Sequence, residues 1–140
     1  MSAAAPAAAP RGQPAVREIV RGPITRTQLA LFTGASGDHN PIHLDDEEAR
    51  KGGLPGAIAH GMLGMAFLGD LLGQFATPDR IRQFEARFVS MAFPGDTITC
   101  RGEIVGEADE AGERIATVKL SAVNQKGQAV VEGQARFARE

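Results

Sequence analysis

An aspartate and a histidine lie five residues apart in the segment GDHNPIH, residues 37–43, which is stiffened by a proline. A carboxylate and an imidazole held close together, here Asp38 and His43, can act as base and acid on one water molecule. Further along, Gly61 stands where an apolar helix is predicted to begin. Its backbone N–H would lack a partner within the helix and could stabilise a developing oxyanion. Base, acid and oxyanion donor are three parts of one reaction site.

A purely structural turn is the alternative interpretation of this segment. Gly, Asp, Asn and Pro are standard turn formers, and Pro41 biases Asn40 towards an extended conformation. Composition alone therefore favours a turn. His43 is not a turn former, however, and Ile42 beside it is predicted to be a buried anchor that fixes its direction. With Gly61, these features favour a catalytic loop.

A metal site is a second alternative, because several oxygen and nitrogen ligands are close in sequence. The spacing lacks the glycine and the glutamate of a calcium loop. The sequence contains no HExxH pair either. We therefore predict no metal. His39 is predicted to face solvent, and His60 to pack or to satisfy local backbone groups. The possible ligands are Asp38, His39, Asn40, His43, Asp45 and Asp46.

The first half of the chain is predicted to form one short strand and three helices. The strand covers residues 16–20, and the first helix is capped by Thr25 and ends near residues 34–37. Asp45 begins a short acidic helix. Residues 58–75 are apolar and rich in glycine, which predicts a helix buried on most sides. Glycine is expected there because another backbone or a ligand approaches closely.

From about residue 84, apolar and polar residues alternate with period two. Strands are predicted near residues 84–88, 97–104, 116–122 and 129–137, separated by turn-forming residues. Each strand has one apolar face, which is typical of an antiparallel sheet covered on one side. The predicted class is α+β, with about five antiparallel strands wrapped around one helix.

Composition excludes several classes of protein. A net charge of −2 and the lack of Trp and Tyr argue against nucleic-acid binding. Cys100 is the single cysteine, so an intramolecular disulfide is impossible, and a reducing cytoplasm is the expected location. No apolar run is long enough for a membrane helix. Residues 1–15 are Ala- and Pro-rich and are predicted to be a disordered extension of one domain, residues 16–140.

The segment FTGASGDHNPIH, residues 32–43, resembles the hydratase-2 motif of MaoC-like, (R)-specific enoyl-CoA hydratases and dehydratases. AHGM at residues 59–62 resembles the start of that family's central helix, and residues 88–97 resemble its first long strand and the following turn. The resemblance covers roughly residues 16–138. It implies a single hot dog fold, a long helix wrapped by an antiparallel sheet, that is usually dimeric.

The resemblance also implies roles for individual residues. Asp38 and His43 match the catalytic pair, Asn40 the supporting asparagine, and Gly61 the glycine whose N–H polarises the thioester carbonyl. The implied reaction is syn addition of water to a trans-2-enoyl thioester, or the reverse dehydration, without a cofactor. An apolar slot for the acyl chain is expected along the central helix, with four candidate residues, Met62, Leu63, Met65 and Ala66.

Two other functions stay open at the level of sequence. The same fold hosts acyl-CoA thioesterases, which typically rely on a single acidic residue. Some MaoC-like chains also work as one subunit of a heteromer. The expected partners are an acyl-CoA or an acyl-carrier-protein thioester and a second copy of the chain, with a second MaoC-like subunit as the alternative to the homodimer.

Overall fold

A computed structural model describes residues 15–140, so the predicted extension lies outside the described residues except for Ala15. Five strands form one sheet in the order β1-β3-β4-β5-β2, and all neighbours are antiparallel. The strands are β1 (Val16–Arg21), β2 (Ile81–Phe88), β3 (Ile98–Glu110), β4 (Glu113–Val123) and β5 (Ala129–Ala138). The helices are α1 (Arg26–Ser36), α2 (Asp46–Lys51) and α3 (Gly61–Leu72), with 3₁₀ turns at Pro41–His43 and Pro78–Arg80.

The sheet buries one face, as the period-two pattern predicts. On β3, Ile98 and Cys100 are buried whereas Arg101 and Glu103 are exposed. The predicted α+β architecture is confirmed, with α3 packed against the inner face of the sheet. Its buried residues are Leu63, Phe67, Leu68, Leu71 and Leu72.

The opposite side of α3 is open, in contrast to the burial predicted on most sides. Met62 is 53% exposed, and Ala66 and Asp70 are also exposed. The hydropathy of the sequence could not predict this exposed side, because an apolar residue need not be buried within its own chain. No helix among the described residues is long and apolar enough to cross a membrane.

Glycine brings α3 close to the sheet. A Cβ added to Gly64 would lie 2.7 Å from Cγ2 of Val131 on β5, closer than real side chains pack. The neighbour that comes close at this position is a valine side chain, whereas a backbone or a ligand was predicted.

The segment between α2 and α3 ties three parts of the chain together. The N–H of Ile58 donates to the Ile42 carbonyl at 3.1 Å, and the N–H of Ala59 donates to Ala92 at 2.8 Å. The N–H of Ala57 donates to the Asp46 carboxylate at 2.8 Å; this bond and the Arg26 guanidinium lower the pKa of Asp46. The loop before α3 is thereby fixed against the first half of the chain and against the segment after β2.

Candidate active site

The aspartate loop begins where α1 ends. Thr25 caps the helix by accepting the N–H of Gln28 at 3.0 Å, as predicted. At the other end, Gly37 has a φ of 76° and its N–H donates to the Thr33 carbonyl at 3.2 Å. This left-handed conformation suits glycine and turns the chain sharply into Asp38.

Asp38 is anchored through both its backbone and its carboxylate. Its N–H donates to the Ser36 hydroxyl at 3.1 Å, and its Oδ1 accepts the N–H of Asn40 at 3.3 Å. Oδ2 lies 3.4 Å from Nε2 of His43. The side chain is 49% exposed, so the carboxylate remains accessible from solvent.

His43 is buried in the 3₁₀ turn that Asn40 caps by accepting the Ile42 N–H at 3.2 Å. Nδ1 of His43 lies 2.8 Å from the Ile58 carbonyl oxygen. A carbonyl only accepts, so Nδ1 carries the proton of the neutral ring. Nε2 is then an acceptor that faces Asp38.

The pair therefore places two hydrogen-bond acceptors opposite each other. Their separation of 3.4 Å exceeds an ordinary direct hydrogen bond. A water molecule beside both atoms could donate one hydrogen to Asp38 and the other to His43. The arrangement can hold and deprotonate a nucleophilic water.

Gly61 begins α3, and its backbone N–H has no hydrogen-bond partner among residues 15–140. A Cβ added to this glycine would lie 2.8 Å from the Phe88 ring. Glycine therefore allows Phe88 to pack against the start of the helix while the N–H stays available.

His60 is the site residue that the sequence did not reveal. It is only 2% exposed, its ring stacks on His43 at 3.8 Å with an interplanar angle of 21°, and its Nε2 lies 3.3 Å from the Asp38 carbonyl oxygen. Burial, and then the neighbouring His43, lower the pKa of His60. The prediction that His60 packs is confirmed by its burial and its ring contacts, but the backbone carbonyl that it contacts is not local, because Asp38 is 22 residues away. Its place directly before the helix-start glycine is the one sequence signal that could have suggested more.

Three residues of the site could be ligands of a metal ion, since one ligand atom of each of Asp38, His43 and His60 lies within 4.8 Å of the others. The two imidazoles are stacked face to face, however, whereas metal-bound imidazoles direct their ring-plane lone pairs at one point. The geometry disfavours a shared ion. His39 is exposed, as predicted, and has no hydrogen bond within the described part of the chain.

A cavity of about 390 Å³ adjoins the start of α3. Of the four predicted acyl-pocket residues, Leu63 lines it, whereas Met62, Met65 and Ala66 do not. The helical repeat explains the difference, because residues 63, 64 and 67 share the face turned to the cavity. The lining consists of Ile24, Ile58, Ala59, His60, Gly61, Leu63, Gly64, Phe67, Phe88, Val89, Ser90, Met91, Ala92, Ile98, Val130 and Val131.

A helix packed against a single five-stranded antiparallel sheet places the chain in the hot dog fold class. The fold matches the solved (R)-hydratase of A. caviae involved in PHA biosynthesis, with a TM-score of 0.78 and 26% identity over 91% of this chain and 97% of that one. The family model described as "MaoC like domain" matches residues 7–126, so the chain belongs to the MaoC-like family.

Curated relatives are much longer than this chain. The peroxisomal enoyl-CoA hydratase 2 of Arabidopsis thaliana is 34% identical over 77 residues, which are 53% of this chain and 25% of the plant protein. The fatty acid synthase subunit beta of Aspergillus oryzae is 41% identical over 75 residues, 51% of this chain and 4% of that subunit. The chain thus spans a quarter or less of the length of these two relatives.

Proposed function

We propose that this protein is an (R)-specific enoyl-thioester hydratase, or in reverse a 3-hydroxyacyl-thioester dehydratase. The observation that carries the proposal is the facing pair of acceptors, Asp38 Oδ2 and His43 Nε2, 3.4 Å apart. Membership of the MaoC-like family and the likeness to an (R)-hydratase support it.

In the proposed hydration, Asp38 and His43 hold one water over C3 of a trans-2-enoyl thioester. Asp38 accepts a proton as the water oxygen bonds to C3, and the π electrons move through C2 towards the thioester oxygen. The pair then returns a proton to C2 on the same face, so that one water is added in total. Positioned acid–base groups of this kind contribute roughly 10²- to 10⁴-fold in rate.

The negative charge on the thioester oxygen is met by the Gly61 N–H at the start of α3. An unpartnered N–H at a helix N-terminus is already oriented, so it needs no reorganisation during the reaction. Protein groups thus supply the base, the acid and the oxyanion donor. We accordingly propose that the reaction needs no metal and no redox cofactor.

The acyl chain is assigned to the cavity beside α3. Its walls are mostly apolar, and it lies next to Gly61 and His60, so an acyl chain inside it would bring its thioester close to the pair. Leu63 and Phe67 line the helix side. The thioester is carried by coenzyme A or by an acyl carrier protein, and an acyl panel on both carriers decides between them.

Asp38→Asn and His43→Ala test the proposal. Each is expected to lower crotonyl-CoA hydration by at least about 100-fold, because each removes one of the two acceptors for the water. Absorbance of the enoyl thioester measures the rate, and chiral analysis should find the (R)-3-hydroxy product. Circular dichroism checks that the fold is intact.

His39→Ala is the matched control, since it removes an exposed imidazole next to Asp38 and should leave the rate unchanged. Near-native turnover in either pair variant would contradict the mechanism. Release of free thiol from acyl-CoA without hydration would instead favour a thioesterase. Activity that arises only on co-expression with a second MaoC-like chain would favour a heteromer.

We also propose that the chain is a homodimer in the cytoplasm. The β2 strand is an edge of the sheet, and the residues at and just after its end include the exposed Phe88, Val89 and Met91. Pairing across a two-fold axis would cover such an edge. Cys100 is buried and its thiol pKa is raised to about 11, which suits a reduced, unreactive cysteine.

A further inference from the structure

The ring of His60 contacts both members of the Asp38–His43 pair. It stacks on the His43 imidazole, with ring centroids 3.8 Å apart, and its Nε2 lies 3.3 Å from the Asp38 carbonyl oxygen. His60 is the residue directly before Gly61, the first residue of α3.

The hydroxyl of Thr33 fixes which nitrogen of His60 carries the proton. Thr33 donates its only hydroxyl hydrogen to the Leu29 carbonyl at 2.8 Å. Its oxygen can therefore only accept from His60 Nε2, 3.1 Å away. The Asp38 carbonyl is also an acceptor, so two acceptors converge on Nε2 and require Nε2–H.

The ring is also held in place by aromatic contacts. Phe32 meets it edge-on, with ring centroids 4.9 Å apart and an interplanar angle of 67°. Phe32 and Thr33 both belong to α1, the helix that leads into the Asp38 loop. Contacts with the end of α1 thus hold the His60 ring in place, and the His43 ring stacks on it.

We propose that His60 is a positioning residue for the proposed hydratase reaction, which orients His43 by stacking and the Asp38 loop by its Nε2–H bond. The inference rests on the proposed function for its kinetic consequence. It assigns His60 no contact with the reacting atoms. The role requires both the ring and the proton donor, and these can be separated by substitution.

His60→Phe keeps a flat ring for stacking and removes the donor. His60→Gln keeps an amide N–H near the position of Nε2 and removes the ring. Each variant is expected to lower kcat for crotonyl-CoA by about 10- to 100-fold, the scale of a misplacement of about 1 Å. KM should change by less than about threefold, because the apolar residues that line the acyl cavity are unchanged. His39→Ala is the control for loss of a histidine.

Thr33 provides a second, milder route to the same test. Thr33→Val removes the acceptor that fixes the His60 tautomer, and kcat should fall several-fold. Thr33→Ser keeps the hydroxyl and should restore the wild-type rate. This pair decides the question if the His60 variants fail to fold.

Imidazole nitrogen NMR gives a readout that a merely structural role would not move. The chain has three histidines, so a long-range ¹H–¹⁵N spectrum is simple to assign. His43 should be the Nδ1–H tautomer and His60 the Nε2–H tautomer, whereas exposed His39 exchanges between the two. In His60→Gln, which removes the stacked ring, the His43 signals should move towards a mixture of tautomers, whereas in His60→Phe, which keeps a ring, they should stay those of the Nδ1–H form.

An unchanged His43 spectrum in a folded His60→Gln would overturn the inference whatever the rate does, and so would a wild-type kcat in Thr33→Val if that variant alone folds. Turnover within about twofold of wild type in both His60 variants would overturn it too. The spectrum needs no substrate. A wild-type protein without hydratase activity would therefore refute the proposed function and leave this test standing.

Discussion

The three side chains at the centre of the site differ sharply in environment. Asp38 is half exposed and can bind water, whereas His43 and His60 are buried and stacked. Protonation of both stacked rings would cost free energy, because each charge would be desolvated and the two charges would repel each other. A neutral His60 therefore avoids a second buried charge beside His43.

The lowered pKa of His60 predicts how folding stability depends on pH. The unfolded chain binds a proton at this histidine near pH 6.5, whereas the folded protein binds it only at lower pH. Between the two pKa values the unfolded state holds more protons, so acid destabilises the fold. We expect the midpoint of thermal unfolding to fall between pH 7.5 and pH 5.5, and to fall less in His60→Phe. An equal fall in both proteins would contradict a neutral buried His60.

At this scale, sequence could indicate only residues that are close together along the chain. Asp38, Asn40 and His43 share one loop, and Gly61 is identifiable because a helix starts there. Thr33 and His60 are 27 residues apart and meet only when the end of α1 lies beside the start of α3. Neither a threonine nor a histidine indicates by its type alone that it makes such a contact. The contact between these two residues could therefore be found only in the structure.

Helix α3 shows how one element serves both packing and the site. Its first turn presents Gly61 to the cavity, and one turn further Gly64 lets β5 approach. Its start at Gly61 agrees with the sequence pattern, but its 12 residues are fewer than the 18 of the apolar segment 58–75. The exposed side with Met62 and Ala66 could not be predicted, because hydropathy reports what can be buried and not what covers it.

In Gly64→Ala, the gain in helix propensity and the loss in packing should have opposite effects on the free energy of unfolding. Alanine should favour the helix by up to about 1 kcal/mol. The new Cβ would lie 2.7 Å from Val131, and overpacking a core of this kind costs about 1–3 kcal/mol. The variant should therefore be less stable than wild type, as measured by urea unfolding.

Two companion variants make this measurement specific. In a Val131→Ala background, Gly64→Ala should become neutral or stabilising, because the opposing methyl groups are gone. Gly69→Ala is the matched control on the same helix, since its Cβ would lie 3.7 Å from Phe84, an ordinary contact. Equal destabilisation by Gly64→Ala in both backgrounds would show that Val131 is not the cause.

At the scale of the whole molecule, the sheet has two edges, β1 and β2. The alternation of apolar residues predicted the strands and their inward faces, but it carries no information on which strand ends at an edge. The order β1-β3-β4-β5-β2 follows from pairings between residues far apart in sequence, such as Phe84 with Ala135. Only the structure shows that β2 is followed directly by an exposed apolar segment.

This edge predicts the oligomeric state. Val89 is 38% and Met91 45% exposed, directly after β2, and a second copy would cover them. Light scattering at micromolar concentration should give twice the chain mass of 14.7 kDa.

Met91→Lys should shift the protein to the mass of one chain, because a buried unpaired ammonium is costly at an interface. Leu31→Lys changes a 70% exposed leucine on α1 in the same way and should remain dimeric. A wild-type protein with the mass of a single chain would refute the dimer, and a dimer that persists in Met91→Lys would place its interface away from the end of β2.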